Sequence, residues 1–291
     1  MGIKGCPMTG SNRTPIPRFV FHAHKPKADM IADRLKTAAT AAGYDLEITK
    51  KHYPKPGRIG LFYGVVPETY SAFCYYKAER SAIYLDNGWL STPELPTFRF
   101  SWNGVQSFLQ DMPPAPRQAV IRFGKLPELR RKPQPDLALL VLQSRLYFDN
   151  LRLGYSLETW TKATARFLEM KGYRVEIREK PTKKNTEAET FFDQMARAGI
   201  VVSLNSAATL KALRYGIPSY CMLDCTLSPY APVRLPDRGK AGRPTKADVD
   251  TLCLKLASYE IDKVKLSSPQ VFEQLLSPPP DKRRGYWYGK E

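Results

Sequence analysis

The sequence predicts an α/β protein built as two halves, each an alternating series of strands and helices, and three observations carry that prediction. Short apolar runs alternate with amphipathic helical stretches through residues 19–110, and a second series of the same kind runs through 137–245. Between them, residues 111–136 contain six prolines, the composition of a linker. A length of 291 residues fits two domains of about 150 each, long enough to bury a sizeable core.

The elements follow in order. Residues 1–18 carry Gly, Pro, Ser and Asn without a hydrophobic period and read as a loose arm. Phe19–His22 reads as a strand, and Met30, Ile31, Leu35, Ala38 and Ala39 give Pro26–Ala42 a helical period that Gly43 stops. Asp45–Thr49 and Arg58–Tyr63 are strands, Glu68–Lys77 is a helix, and Ala82–Leu85 is the next strand. The turn Asp86-Asn87-Gly88 leads to a returning arm at Thr97–Ser101.

After the linker, Leu137–Gln143 is a continuous apolar run, as expected of a strand covered on both faces. A helix at Ser156–Lys171 with Ser156 as cap follows, then strand Arg174–Arg178, helix Glu187–Ala198 and strand Ile200–Leu204. Helix Ala207–Tyr215 and strand Ser219–Met222 close the series, with Gly172 and Gly216 where helices should stop. Residues 246–291 read as terminal helices, Lys246–Tyr259 and Pro269–Leu276, and a basic tail with Tyr286, Trp287 and Tyr288.

Lys and Arg total 45 against 28 Asp and Glu, a formal charge of +17. That excess favours a polyanionic partner, because each neutralised phosphate releases counterions. Nucleic acid, double-stranded DNA included, is the leading candidate, with Lys50, Lys51, Arg130, Arg131, Lys132, Arg283 and Arg284 as local concentrations of charge. Arg99 and Trp102, in the aromatic and basic run Phe98–Trp102, are candidates to stack on or wedge into it, although core packing is the more frequent fate of aromatics that alternate along a strand. Anionic lipid would meet the same charge, but no basic amphipathic helix stands out. The chain lacks an apolar run of about 18–20 residues and a secretory leader pattern, so a cytoplasmic location, no membrane association and a monomer are expected. Its five cysteines are scattered without a Cys-x-x-Cys pair, which predicts reduced thiols and neither disulfides nor zinc.

The most informative stretch is Val201–Pro218. A buried strand ends in Leu204-Asn205-Ser206 and a helix of small residues begins at Ala207, so backbone amides and the positive end of the helix dipole point at the carboxyl edge of the sheet. A phosphate fits there; the bland alternative is that Asn205 and Ser206 only cap the helix. Arg178 and Lys180 end the preceding strand, and Gln143, Ser144 and Arg145 end the one before. In a doubly wound sheet these three strand tips open into one crevice, where the cations can clamp a diphosphate.

The order of strand, Arg-x-Lys-Pro loop, helix and "VVSLNSAATLKALRYGIPSYC" resembles the C-terminal half of GT-B glycosyltransferases and of glycosyltransferase-like phage proteins. "LFYGVV", "AIYLDNGWL" and "FRFSWNG" in the first half resemble the same phage proteins, and the likeness covers about residues 58–222. It implies two Rossmann-like domains, a nucleotide sugar such as UDP-glucose in the cleft, and a site built on the Asn205-Ser206 helix start. The chain lacks the Glu-x7-Glu pattern of larger GT-B enzymes after that helix, so no ribose-binding acid is assigned.

Inverting sugar transfer needs a base for the acceptor hydroxyl and cations for the departing diphosphate. Asp86 is the first candidate base, and His22 and His24, two of only three histidines, are the second. Arg178, Lys180 and the helix start at Ser206 can hold the leaving group, so no metal is demanded. Three readings result. The first is a phage-type DNA glycosyltransferase acting on a hydroxymethylated base such as 5-hydroxymethylcytosine, working in the host cytoplasm if phage-encoded. The second is a transferase with a surface glycan or lipid-linked acceptor. The third is a DNA-binding protein that keeps the scaffold without turnover.

Overall fold

The computed structural model describes residues 16–92, 94–115, 129, 132–179, 190–238, 242, 244–277, 284–286 and 288. Most of the N-terminal arm, most of the Pro-rich linker, Arg130, Arg131, Lys180, Arg283 and Trp287 therefore lie outside the described residues.

The first half is a six-stranded sheet. β1 (Arg18–His22), β2 (Asp45–Thr49), β3 (Ile59–Tyr63) and β4 (Ala82–Asn87) run parallel in the order β2-β1-β3-β4. β5 (Thr97–Trp102) returns antiparallel beside β4. Helices α1 (Pro26–Ala42) and α2 (Pro67–Ala78) cover opposite faces. α1 spans the residues its pattern predicts: Pro26 supplies a preset φ at the first turn, and Gly43 ends the helix at φ +77°, a conformation that costs a side chain dearly. Alternation along β1 sorts its side chains, with Phe19 and Phe21 packing under α1 and Val20 on the α2 face.

The second half has β7 (Gln134–Val141), β8 (Arg174–Arg178), β9 (Ala198–Ser203) and β10 (Ser219–Cys221), all parallel in the order β8-β7-β9-β10. Counting strands within each half, both sheets have the order 2-1-3-4, so each changes winding direction between its first and third strands. At that switch point the loops diverge and leave a crevice at the carboxyl edge. The helices here are α3 (Arg145–Asn150), α4 (Leu157–Met170), α5 (Phe191–Arg197) and α6 (Ala207–Arg214). Ser156 caps α4 by accepting from the Thr159 amide at 3.1 Å, as its position predicts.

The C-terminal segment departs from expectation. α7 (Lys246–Ser258) and α8 (Gln270–Leu276) form as read, but β11 (Glu260–Asp262) between them pairs antiparallel with β5 and completes the first sheet. β12 (Gly285–Tyr286) pairs with β6 (Gln106–Ser107). Residues 246–291 are thus not a terminal appendage: the described part crosses back onto the first half. A mixed core joins the two, in which Trp89, Leu90 and Leu109 pack with Leu210, Leu213, Leu227, Leu252 and Leu256. Each such side chain contributes about 1.5–3 kcal/mol on burial. Among the described residues, no helix is long and apolar enough to cross a membrane.

Candidate active site cleft

Because both sheets turn their carboxyl edges inward, one cleft of about 570 Å³ collects the strand ends of both halves. The first half supplies Tyr63–Val66 from the end of β3 and the loop after it, and Tyr84, Asp86, Asn87, Gly88 and Trp89 from β4 and its loop. The second supplies Val141–Ser144, Arg178, and Asn205–Ala208 from the start of α6. The volume suits a ligand of nucleotide size.

The wall from the first half is polar and tightly bonded. Asp86 Oδ2 accepts from Arg99 Nη2 at 3.3 Å and from the Tyr84 hydroxyl at 3.1 Å, while Oδ1 accepts from the Asn87 amide at 2.8 Å. The Arg99 guanidinium lies 4.2 Å from the centre of the Trp89 ring, and its Nε and Nη1 are shielded without hydrogen-bond partners among the described residues. Burial and the adjacent Asp86 push the Tyr84 hydroxyl well above its ordinary value, so it stays a donor. Tyr147 of α3 lies close to this pair from the other half; burial pushes it up to about 12, and its hydroxyl accepts from Asn205 Nδ2 at 3.1 Å.

The opposite wall is the start of α6. Ser206 caps the helix, its Oγ accepting from the Ala208 amide at 3.2 Å, and its own amide donates to Ser203 Oγ at 3.0 Å. Asn205 is held from its other side by Gln143 Nε2 at 2.9 Å. Two of the amides that the sequence offers to a phosphate are therefore already engaged. What the helix start presents to a ligand is its positive dipole and the Ala207 amide. Arg178 lines the same space, with Nη1 donating to Gln194 Oε1 at 2.5 Å. Lys211, one and a half turns into α6, also faces it, and burial followed by Arg214 lowers its proton affinity. Among the described residues the cations of the lining are Lys25, Arg99, Arg178 and Lys211, against Asp86 and Glu179.

Of the sequence-predicted residues, Asp86, Gln143, Ser144, Arg178, Asn205, Ser206 and Ala207 line the cleft together. Arg145 does not: it is exposed and pairs with Asp149 and Glu158 at 3.9 and 3.7 Å. His22 and His24 are not at the cleft either. His22 follows Val20 onto the α2 face, where its ring stacks flat on Phe62 with 4.7 Å between centroids and both ring nitrogens are unpartnered among the described residues. His24 is half-buried, and burial followed by Lys25 lowers its pKa.

Two residues expected on a nucleic-acid surface are interior. Arg99 belongs to the cleft wall, and Trp102 is buried with Nε1 donating to the Leu275 carbonyl at 2.9 Å, because period two turns it inward with Phe98 and Phe100. Arg284 pairs with Asp111 at 3.1 Å, whereas Lys50, Lys51 and Lys132 are exposed, Lys50 lying 3.7 Å from Asp29. Sequence reading missed Lys25, Trp89, Tyr147 and Lys211. Lys211 carried a usable signal, as a cation on the same short helix as the Ser206 cap.

One Asp-x-Asp spacing, Asp248-Val249-Asp250, lies on α7, where Asp248 closes a capping box with Thr245 rather than facing the cleft. Among the described residues no group of three His, Cys, Asp or Glu side chains is placed to hold a metal ion.

No protein-family profile matches the chain, and no curated protein matches it. Among solved structures, the β-Kdo 2,7-transferase KpsC of Thermosulfurimonas dismutans aligns over 90% of this chain and 99% of that one, with a TM-score of 0.48 and 12% identity. The likeness is loose, and the site described above stands on its own geometry.

Proposed function

We propose that the chain is a glycosyltransferase that takes a nucleotide diphosphate sugar in the cleft, in a two-lobed arrangement of GT-B type. The observation that carries this reading is the convergence of both parallel carboxyl edges on one cleft, with a helix start, Arg178 and Lys211 on one wall and Asp86 on the other. In the reaction, the acceptor hydroxyl oxygen bonds to the anomeric carbon as the bond from that carbon to the diphosphate breaks. Asp86 takes the hydroxyl proton, and Arg99 holds that carboxylate in place. The negative charge that develops on the departing diphosphate is met by the α6 dipole, Arg178 and Lys211, the part a divalent ion plays elsewhere. UDP-glucose is the donor of this reading.

For the acceptor we propose the hydroxymethyl group of a modified base in duplex DNA, 5-hydroxymethylcytosine first. The excess of +17 and the exposed Lys50, Lys51 and Lys132 support a phosphate-binding surface. The deciding experiment incubates the protein with a panel of nucleotide sugars and hydroxymethylated or plain DNA, then digests to nucleosides and weighs them. A hexose mass on the hydroxymethylated nucleoside alone supports the proposal. Donor hydrolysis or transfer only to a glycan or lipid-linked acceptor replaces the DNA assignment, and no nucleotide binding at all removes the enzyme reading.

A further inference from the structure

Asp86, Arg99 and Glu260 stand in one row across the first sheet: in register, Arg99 faces Asp86 on β4 and Glu260 on β11. Opposite charges directly across antiparallel strands attract. Asp86 answers that attraction with its contact to Arg99 Nη2, whereas Glu260 spends its oxygens on the loop after β4 and on the first residue of β5. Glu260 Oε1 accepts from the Leu90 amide at 2.9 Å, and Oε2 accepts from the Thr97 hydroxyl at 2.5 Å. The carboxylate also lies hard against Gly88, where a Cβ would come within 2.2 Å of both Oε2 and Thr97 Oγ1. Only a glycine admits that approach. The loop held in this way carries Trp89, which supports the Arg99 guanidinium in the cleft wall. Glu260 itself does not line the cleft, and the proposed sugar transfer makes no use of it.

We propose that Glu260 is a positioning residue whose ionised carboxylate clamps the Gly88–Leu90 loop and so fixes where Trp89 and Arg99 stand in the cleft. The functional weight of this clamp rests on the cleft being the ligand site. Around Glu260 are Arg99 from β5, Cys253 from α7, the Thr97 hydroxyl, and the Leu90 and Trp89 backbone. Burial pushes the carboxyl up to about 7, while Thr97, Leu90 and Arg99 pull it down. The group therefore exchanges its proton near neutrality. Protonation turns charge-assisted hydrogen bonds into neutral ones of about half the strength, and the loop loosens.

The test labels the full chain with 5-fluorotryptophan, assigns the Trp89 fluorine resonance with Trp89→Phe, and follows it from about pH 5.5 to about 8.5. In the unsubstituted chain the resonance moves with a midpoint near 7. Glu260→Gln keeps an acceptor for Leu90 but cannot ionise, so the movement disappears. Thr97→Val removes a donor to the carboxylate, which raises the midpoint and provides a second check if Glu260→Gln does not fold. A static Trp89 resonance in the unsubstituted chain, the same midpoint in Glu260→Gln, or an unshifted midpoint in a folded Thr97→Val overturns the proposal. UDP titrated in parallel separates the two readings: no binding counts against the donor site and leaves the clamp measurement intact.

Discussion

Replacing Ser206 with aspartate separates a diphosphate site from a mere helix cap. Ser206 lines the cleft and caps α6 through its bond to the Ala208 amide at 3.2 Å. Aspartate is as good a cap as serine, so the helix and the melting temperature stay close to those of the unsubstituted chain. The ligand meets something different. A carboxylate about 5 Å from one diphosphate charge, at an effective dielectric of about 20, costs about 3 kcal/mol before salt screening. With screening, about 100-fold weaker UDP binding is expected, a loss of about 2.7 kcal/mol. Isothermal titration calorimetry with UDP measures the affinity, and a thermal melt confirms the fold. Unchanged affinity in a variant that melts normally would refute the placement of the diphosphate at this helix start.

Asp86→Asn should keep UDP affinity within about threefold while lowering turnover by about 100-fold or more, measured as sugar transferred per minute; full activity would strip Asp86 of the role of base. Asp86→Ala, by contrast, leaves the mostly buried Arg99 without its partner, and urea unfolding should show a loss of about 3 kcal/mol. His22 gives a pH signature. Burial, then His52, holds its pKa down to about 4 from 6.5, so the unfolded chain binds the extra proton as pH falls through that window. Stability is full above pH 6.5 and declines toward pH 4 by about 3 kcal/mol, a slope that His22→Phe should flatten. Trp102→Phe should lose about 1–3 kcal/mol of stability, through its bond to Leu275, without changing retention on DNA-cellulose. Weakened retention at unchanged stability would return Trp102 to the surface.

The alternating order of strands and helices was legible because each element announces itself locally. Pro26 and Gly43 bracket α1, and Ser156 and Gly172 bracket α4. The same holds for the wall built by Asn205, Ser206 and Arg178, since strand tips of a parallel sheet converge by topology alone. What stayed hidden depends on distant partners. Glu260–Asp262 is three residues long and becomes a strand only because β5 offers an open edge. His22 and Trp102 take the interior place that period two favours, and the chemistry that made them site candidates goes unused at the cleft. Lys211 is harder to single out, since a lysine in the last turn of a helix also answers the helix dipole, and only the shared helix with the Ser206 cap points it to the cleft.

The return of β11 to the first sheet also sets a timetable for biosynthesis. Arg99 and Glu260 are neighbours in space but 161 residues apart in the chain. At about 5–20 residues per second, the ribosome takes about 8–32 seconds to deliver the missing edge. Through that interval the β5 edge stands open beside an incomplete acid–base row, a template for wrong pairing. The nascent chain thus passes through a half-built sheet that something must shield or that must simply wait, and low temperature or slow translation should lengthen its exposure.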